Sequence, residues 1–274
     1  MRLVIAPGCW STTTSIGSSR TDHHTTSNFK PFSGTKCGEP RPPPNGATIT
    51  VVSEESRCCM ATNEYPVKIA GVDLAGQNHV CAFFNTIEEE HRVLGSFYKD
   101  GLDRDEKAAH IVDPANREEH LKRLAAAGIN VRAMTDTGQL QVEPWADTYV
   151  RDHQFDQDGM LATLERRIQS GVAAGYPLTR LVGHHMDWLL LDKPAAYNLV
   201  EYEARLNHVL SKHNDPVICN YNPSKFGATV AMDIMRTHPL VIIGGLLREN
   251  PFFVPPEQFL DEMRERRSTR KTAA

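Results

Sequence analysis

Short apolar segments alternate with longer amphipathic segments along the chain from residue 66 onward. Apolar segments such as 79–84 and 216–221 predict strands, and segments such as 156–174 repeat their apolar residues at helical spacing. Parallel strands need a crossover connection, and a helix is the usual one. The pattern therefore predicts an α/β fold, with a mostly parallel sheet of about five or six strands and helices on both faces.

The predicted elements follow each other regularly. Strands are predicted at 79–84, 108–112, 138–142, 179–182, 216–221 and 240–246, the last closing on Gly244-Gly245. Helices are predicted at 88–101, 116–127, 156–174, 195–212, 224–237 and 257–267. Gly128 is expected to end the second helix, and Ser224 is expected to cap the fifth.

Composition excludes several classes of protein. The chain has 274 residues, a net charge of −4 and 40% hydrophobic residues, which is typical of a soluble globular protein. No apolar run approaches the roughly 18 residues of a membrane span. A mildly acidic chain whose one cationic cluster, at 264–271, is interleaved with Glu262 and Glu265 gives no large basic field. We therefore expect contact with neither a membrane nor nucleic acid.

The first 59 residues differ in composition from the rest. They are rich in Ser, Thr and Pro and show no strand or helix periodicity, which predicts disorder. An alternative is that they are translated upstream sequence and that the protein starts at Met60. Four of the six cysteines fall in this segment, which leaves Cys81 and Cys219 in the predicted domain. Such a small number of cysteines in the predicted domain is typical of a protein from a reducing cytoplasm. Residues 268–274 are expected to be a disordered tail.

An ordered set of short motifs runs from His79 to Arg267. It begins with His79-x-Cys81, Phe97-Tyr98-x-x-Gly101-Leu102, Asp113-Pro114, Ala127-Gly128-Ile129, Gly138-Gln139-Leu140, Tyr149, Phe155-Asp156 and Gly175-Tyr176 with Arg180. It continues with Met186-x-Trp188, Tyr202-Glu203-x-x-Leu206-Asn207, Cys219-x-Tyr221, Arg236-Thr237-His238-Pro239 and Asn250-Pro251-Phe252-Phe253-x-Pro255-Pro256. In this order the chain resembles the MEDS domain, a methanogen/methylotroph sensory domain named from a dichloromethane-responsive repressor.

The resemblance implies a fold and a function. It implies a sensory domain over residues 60–267, similar in fold to the RecA and circadian-clock ATPase group, that binds small hydrocarbon-like molecules. Family members usually act through helix-turn-helix or kinase output domains, and this sequence shows no such domain. The family usually has a glutamate where this chain has His185, so a role of that carboxylate does not carry over.

Nucleotide hydrolysis is not expected. A phosphate-binding loop needs glycines, a lysine and a hydroxyl between the first strand and its helix. Only Asn85-Thr86-Ile87 stands there, and Gly71–Asn78 has the glycines but precedes the strand and lacks the lysine and the hydroxyl. The sequence therefore predicts a relative of that fold without a phosphate loop, and without catalysis.

Histidines and cysteines near strand ends leave several kinds of site open. His79-x-Cys81 and Cys219-x-Tyr221 lie in predicted strands, His184-His185 follow a third, and His238 starts a fourth. Such side chains can ligate zinc, another transition metal or haem, but their spacing is no metal signature, which favours core packing or pocket lining over a metal site. A cysteine–histidine hydrolase is a further alternative that no spacing selects. The sequence does not identify a cofactor.

The resemblance and the strand ends together give one set of predicted ligand-binding residues. In a parallel sheet, the carboxyl ends of neighbouring strands converge at one edge, so His79, His185, Cys219 and His238 are predicted to line one pocket. His79 and His238 begin their strands, which makes the argument strongest for His185 with Tyr221. Glu203 and Asn207 share a helix face, as a solvated pair or as a patch that faces a ligand. The full set is His79, Cys81, His185, Trp188, Glu203, Asn207, Cys219, Tyr221, His238 and Asn250.

The loop at 250–256, which carries two aromatic residues, is predicted to be either a pocket lid or a cap on the core.

The sequence as a whole predicts a cytoplasmic, non-catalytic sensory module for a small molecule. It is expected to act in signal transduction or transcriptional regulation through a regulatory protein partner or a homo-oligomer. The alternative is a metal- or haem-binding protein, or a metal-dependent enzyme.

Overall fold

The computed structural model describes residues 66–74, 76–148, 150–151, 154–185, 189 and 193–272. The predicted disordered segment 1–59 lies outside the described residues. The strands are β1 (Lys68–Ile69), β2 (Val72–Asp73), β3 (His79–Phe83), β4 (Lys107–Val112), β5 (Leu140–Pro144), β6 (Val150–Arg151), β7 (Gln154–Phe155), β8 (Thr179–Gly183), β9 (Val217–Tyr221), β10 (Leu240–Ile243) and β11 (Leu246–Glu249). The helices are α1 (Ile87–Asp103), α2 (Arg117–Ala126), α3 (Val131–Asp136), α4 (Gln157–Ala173), α5 (Lys193–Leu210), α6 (Ala228–Arg236) and α7 (Pro256–Thr272).

A seven-stranded sheet in the order β11-β10-β3-β9-β8-β4-β5 forms the centre of the fold. All neighbours in it pair in parallel except β10 and β11, which form an antiparallel hairpin. Every residue of β3, β4, β8 and β9 is buried, since helices cover both faces. The predicted α/β fold with a mostly parallel sheet is confirmed.

Each strand sends alternate residues to two separate cores. Cys81 and Phe83 of β3 face the core that contains α4, α5 and α7, whereas Val80 and Ala82 face the core that contains α1 and α2. This alternation follows from the two-residue period of a strand. We call the two sides the α5 face and the α1 face.

The structure differs from the sequence prediction at two turns. The predicted strand 240–246 stops at Ile243, because Gly244 and Gly245 adopt φ of 58° and 76° and turn the chain back into β11. The predicted helix 224–237 starts later, at Ala228. Its cap is Gly227 and not Ser224, whose backbone N–H instead donates to the Asn222 side chain in a preceding 3-10 turn.

Three further differences concern short or terminal elements. The helix α3 and the hairpin β1–β2 were not predicted, since both are too short to show a period. The last helix continues past Arg267 to Thr272, whereas the sequence predicts a disordered tail from residue 268. The hydroxyls of Ser268 and Thr269 donate to the carbonyl of Glu265, which is compatible with a continuing helix.

Asp156 caps α4, because its Oδ1 accepts a hydrogen bond from the backbone N–H of Gly159 at 2.9 Å. We expect Asp156→Ala to lower the free energy of unfolding by about 1 kcal/mol, as loss of an N-cap usually does. Urea denaturation followed by circular dichroism measures this. Asp103→Ala, which removes an exposed carboxylate paired with Lys99, is the control, with an expected change below about 0.5 kcal/mol. Equal losses in the two variants would contradict the capping role.

Among the described residues, no helix is both long enough and apolar enough to cross a membrane.

Candidate functional site

Two clusters of histidines around a buried carboxylate lie on opposite faces of the sheet. On the α5 face, the core tetrad consists of His79, Glu203, Cys219 and His238. On the α1 face, at the carboxyl ends of β4 and β8, the edge cluster consists of Glu90, His91, His110, His120, His184 and His185.

Three neighbouring strands and one helix position the core tetrad. His79 begins β3, which pairs with β9 on one side and with β10 on the other, so that Cys219 comes from β9 and His238 from the segment just before β10. Glu203 projects from α5, which covers this face. All four side chains are buried, with at most 4% of any residue exposed. Solvent is therefore excluded from the tetrad.

Glu203 lies at the centre of the tetrad. Its Oε2 is 3.2 Å from His79 Nε2, 3.4 Å from His238 Nε2 and 3.5 Å from Cys219 Sγ. Cys219 Sγ is also 3.8 Å from His79 Nε2. The other carboxylate oxygen accepts a hydrogen bond from the hydroxyl of Tyr221. One carboxylate thus faces two imidazoles, a thiol and a phenol.

Partners outside the tetrad orient both imidazole rings. His79 Nδ1 is 3.1 Å from Asn207 Oδ1, and Asn207 Nδ2 donates to the carbonyl oxygens of Glu203 and Thr237. His238 Nδ1 is 2.8 Å from the carbonyl oxygen of Ile234. Both rings therefore turn Nε2 towards Glu203 and Cys219.

Burial sets the protonation of this site. Burial and, secondly, the neighbouring His238 lower the pKa of His79 to about 4, although the hydrogen bond and the charge of Glu203 oppose both effects. Burial, together with the charge of Glu203, raises the pKa of the Cys81 and Cys219 thiols and of the Tyr221 phenol. A thiol held in this way is a poor nucleophile, which disfavours the cysteine–histidine hydrolase.

The edge cluster is built around Glu90, which lies on the buried stripe of α1 with Leu94 and Tyr98. His184 Nδ1 donates to Glu90 Oε1, and His185 Nε2 is 3.1 Å from Oε2. The Tyr98 hydroxyl donates to Oε1 at 3.1 Å. Burial opposes ionisation of Glu90, but its contacts with His184 and His185 outweigh it and hold the pKa of Glu90 well below its usual range.

Three further rings extend the edge cluster as a hydrogen-bonded chain. His110 Nδ1, on β4, is 2.8 Å from His120 Nε2, on α2, and His120 Nδ1 is 3.2 Å from His91 Nε2, on α1. Burial, and secondly the nearby His184, hold the pKa of His110 and of His120 well below the usual value. The rings are therefore neutral, and each can pass a hydrogen bond to the next.

A small depression opens at the edge cluster. Its volume is about 260 Å³, including the part that is open to solvent. Its lining combines apolar with polar and ionisable side chains: Ile87, Glu90, Val112, Asp113, Asn116, His120, His184 and His185.

The structure divides the predicted ligand-binding residues between these places. His79, Glu203, Cys219 and His238 form the tetrad, and Asn207 and Tyr221 contact it. Cys81 lies on the same face, opposite Cys219 in the register of β3 and β9. Asn250 instead stabilises the turn before β10, because its Nδ2 donates hydrogen bonds to the carbonyl oxygens of Met235 and His238. Trp188 lies outside the described residues.

His185 is not with the other three histidine and cysteine residues that were predicted to share its pocket. The strand period would point it to the α5 face, like Leu181. However, β8 ends at Gly183, and His185 adopts a φ of 51°, which lets its ring meet Glu90 on the α1 face. The predicted single pocket is therefore replaced by two clusters with the sheet between them.

Sequence reasoning missed Glu90, His91, His110 and His120. Two signals were present: Glu90 is an acidic residue on the apolar stripe of α1, and His110 interrupts the buried strand β4. Neither signal identifies a partner, because the cluster draws on α1, α2, β4 and the segment after β8.

The fold and the clusters define an α/β domain with ionisable groups buried on both faces of a parallel sheet. The chain belongs to the MEDS family, described as the methanogen/methylotroph, DcmR sensory domain, which matches residues 78–239. It is therefore a sensory domain. Among solved structures, the flagellar accessory protein FlaH from Methanocaldococcus jannaschii is similar, with 12% identity, a TM-score of 0.43, and coverage of 62% of this chain and 75% of that one. No curated protein matches the chain.

Proposed function

We propose that this chain is a non-catalytic sensory module that binds a small hydrocarbon derivative in the depression at the edge cluster. It passes the signal to a regulatory protein partner, in signal transduction or in transcriptional regulation. The observation that carries the proposal is the meeting of buried histidines, a carboxylate and apolar side chains at a solvent-accessible depression in a sensory domain.

The position of the depression supports ligand binding. It lies at the carboxyl ends of β4 and β8, where open parallel sheets commonly bind ligands. The enclosed part of the depression has a volume of only about 10 Å³, close to what one water molecule needs, so it suits a single polar group of a very small molecule whose remainder lies in the part that is open to solvent. Ile87 and Val112 offer apolar contacts to such a molecule.

The chemistry of the depression indicates what the ligand carries. His184 gives its Nδ1 hydrogen to Glu90, and its buried Nε2 has no hydrogen-bond partner among the described residues. In that orientation Nε2 presents a lone pair when the ring is neutral and an N–H when it is protonated, and a hydroxyl group can both donate and accept a hydrogen bond. A hydroxyl group on the ligand can satisfy this Nε2, which favours an alcohol over an unsubstituted hydrocarbon.

The test is binding of a panel of alcohols, aldehydes and chloroalkanes with one to four carbon atoms, measured by saturation-transfer NMR on the full chain. We expect the alcohols to bind, and Asn116→Phe, which fills the mouth of the depression, to weaken binding at least about tenfold. Native mass spectrometry of the purified chain would detect a ligand that it retains.

The control for that test is Gln141→Phe, which places the same ring in a different surface depression and is expected to leave binding unchanged. Both variants should melt at the wild-type temperature, because neither position is buried. Binding that survives Asn116→Phe would place the ligand elsewhere. Conversion of the bound compound to a product would refute a non-catalytic module.

A metal-dependent enzyme is the second candidate, since nitrogens of His110, His120 and His184 all lie within 4.8 Å of one another. The distance of 2.8 Å between His110 Nδ1 and His120 Nε2 argues against it. Two nitrogen ligands of a tetrahedral zinc ion, each about 2.0–2.1 Å from it, are about 3.3–3.4 Å apart. The edge cluster therefore has the spacing of a hydrogen-bond network.

A further inference from the structure

We propose that the core tetrad is a structural zinc site, in which His79 Nε2, His238 Nε2, Glu203 Oε2 and Cys219 Sγ bind one Zn²⁺ ion. This site is separate from the proposed ligand site, because it lies on the α5 face and is closed to solvent.

The spacing of the four atoms matches tetrahedral zinc. Zinc lies about 2.0–2.1 Å from nitrogen or oxygen ligands and about 2.3 Å from sulfur, so the ligand atoms of a tetrahedron are about 3.3–3.4 Å apart, or about 3.5–3.6 Å where sulfur is one of them. Glu203 Oε2 is 3.2 Å and 3.4 Å from the two Nε2 atoms and 3.5 Å from Sγ. Sγ is 3.8 Å from His79 Nε2, and all four atoms lie within 4.8 Å of one another.

The hydrogen bonds of the rings leave lone pairs that face one another. Asn207 gives its amide hydrogens to backbone carbonyls, so its Oδ1 accepts from His79 Nδ1, and the Ile234 carbonyl accepts from His238 Nδ1. With Nδ1 as the donor, the neutral form of each ring turns an unprotonated Nε2 towards the Glu203 carboxylate. His238 Nε2 has no hydrogen bond within the described residues. Three acceptors that converge in this way repel one another unless a cation lies between them.

The surrounding partners are those of a metal site. Histidines that bind metal usually donate their other ring N–H to a carbonyl, and carboxylate ligands are themselves hydrogen-bonded. Here the Ile234 carbonyl, the Asn207 amide oxygen and the Tyr221 hydroxyl have these roles.

Charge and ligand type select the metal. Two imidazoles, a thiolate and a carboxylate favour zinc over magnesium or calcium, which prefer oxygen ligands. The ion deprotonates the thiol that coordinates it, so Zn²⁺ with one thiolate and one carboxylate is neutral overall. Neutrality matters, because an unbalanced charge is costly at a site without solvent. Four protein ligands close the coordination shell, which is typical of a structural ion.

The experiment starts with the full wild-type chain expressed in zinc-supplemented medium. We expect about one zinc per chain by plasma mass spectrometry. We also expect removal of zinc by dipicolinate to lower the melting temperature by at least about 5 °C, and ZnCl₂ to restore it. A chain that holds no zinc, and whose melting temperature does not respond to added ZnCl₂, would overturn the proposal without any variant.

Two cysteine variants identify the ligands. Cys219→Ala should lose the zinc, whereas Cys81→Ala, at a buried cysteine opposite it in the sheet register, should keep it. Replacement of zinc by Co²⁺ in the wild type should give the visible bands of a tetrahedral ion and a thiolate charge-transfer band. His238→Gln gives a second readout if Cys219→Ala does not fold. Zinc that is retained in both Cys219→Ala and His238→Gln, or lost in His120→Gln, would assign it to another site.

Discussion

Replacement of Arg180 by leucine is expected to lower the free energy of unfolding by about 3–5 kcal/mol, because it leaves a buried carboxylate without its partner. Arg180 is 1% exposed, and its guanidinium donates to the carboxylate of Glu106, which is 2% exposed. It also donates to the carbonyl of Phe97 and, at 3.1 Å, to Asp100. Urea denaturation of the full chain measures the loss.

Two further variants separate the buried charge from the loss of packing. Arg205→Leu removes a guanidinium whose partner, Asp158, is exposed, and should cost less than about 1 kcal/mol. The double variant Arg180→Leu/Glu106→Leu should regain part of the stability, because no unpaired charge remains. A loss for Arg180→Leu as small as that for Arg205→Leu would show that the buried pair contributes little.

Glu203→Ala is expected to have an effect of similar size, about 3–5 kcal/mol, since one carboxylate serves His79, His238, Cys219 and Tyr221. Part of this loss is expected even after dipicolinate treatment, because the Tyr221 hydroxyl loses its acceptor in any case. Thermal and urea unfolding of both preparations measure the two contributions.

Glu201→Ala on the same helix is the matched control, since Glu201 pairs with the exposed Arg267 and should cost less than about 1 kcal/mol. Glu203→Gln keeps an acceptor for Tyr221 without the charge and should fall between the two. If Glu203→Ala unfolds at the same urea concentration as Glu201→Ala, the carboxylate does not organise this core.

Strands β3, β4, β8 and β9 could be predicted because every residue of each is buried and most of their residues are apolar. The hairpin of β10 and β11 could not be predicted, because Gly244-Gly245 is equally typical of the end of a strand and of a turn between two strands. Likewise, residues 224–237 have the period of a single helix, but Phe226 and Gly227 adopt extended backbone between a 3-10 turn and α6. Local sequence thus identifies elements better than it identifies where one stops.

The two clusters differ in how much the sequence reveals. The tetrad draws on residues that a strand period and a known motif order both single out, such as His79 and Cys219. The edge cluster depends on which side chains meet across α1, α2 and β4, which no spacing within one element encodes. For His185 the strand period predicts the α5 face. The φ of 51° at this residue instead places its ring on the α1 face.

The central position of β3 has a consequence for how the chain folds. β3 is the first strand of the main sheet to be synthesised, yet its partners β9 and β10 come from the last third of the sequence. His79 and Cys219, which meet in the tetrad, are 140 positions apart. Contacts of such long range slow folding, because a long loop must close before they form. On the ribosome, β3 therefore emerges with both edges unpaired and waits for the C-terminal third, which makes this strand the most exposed to wrong pairing.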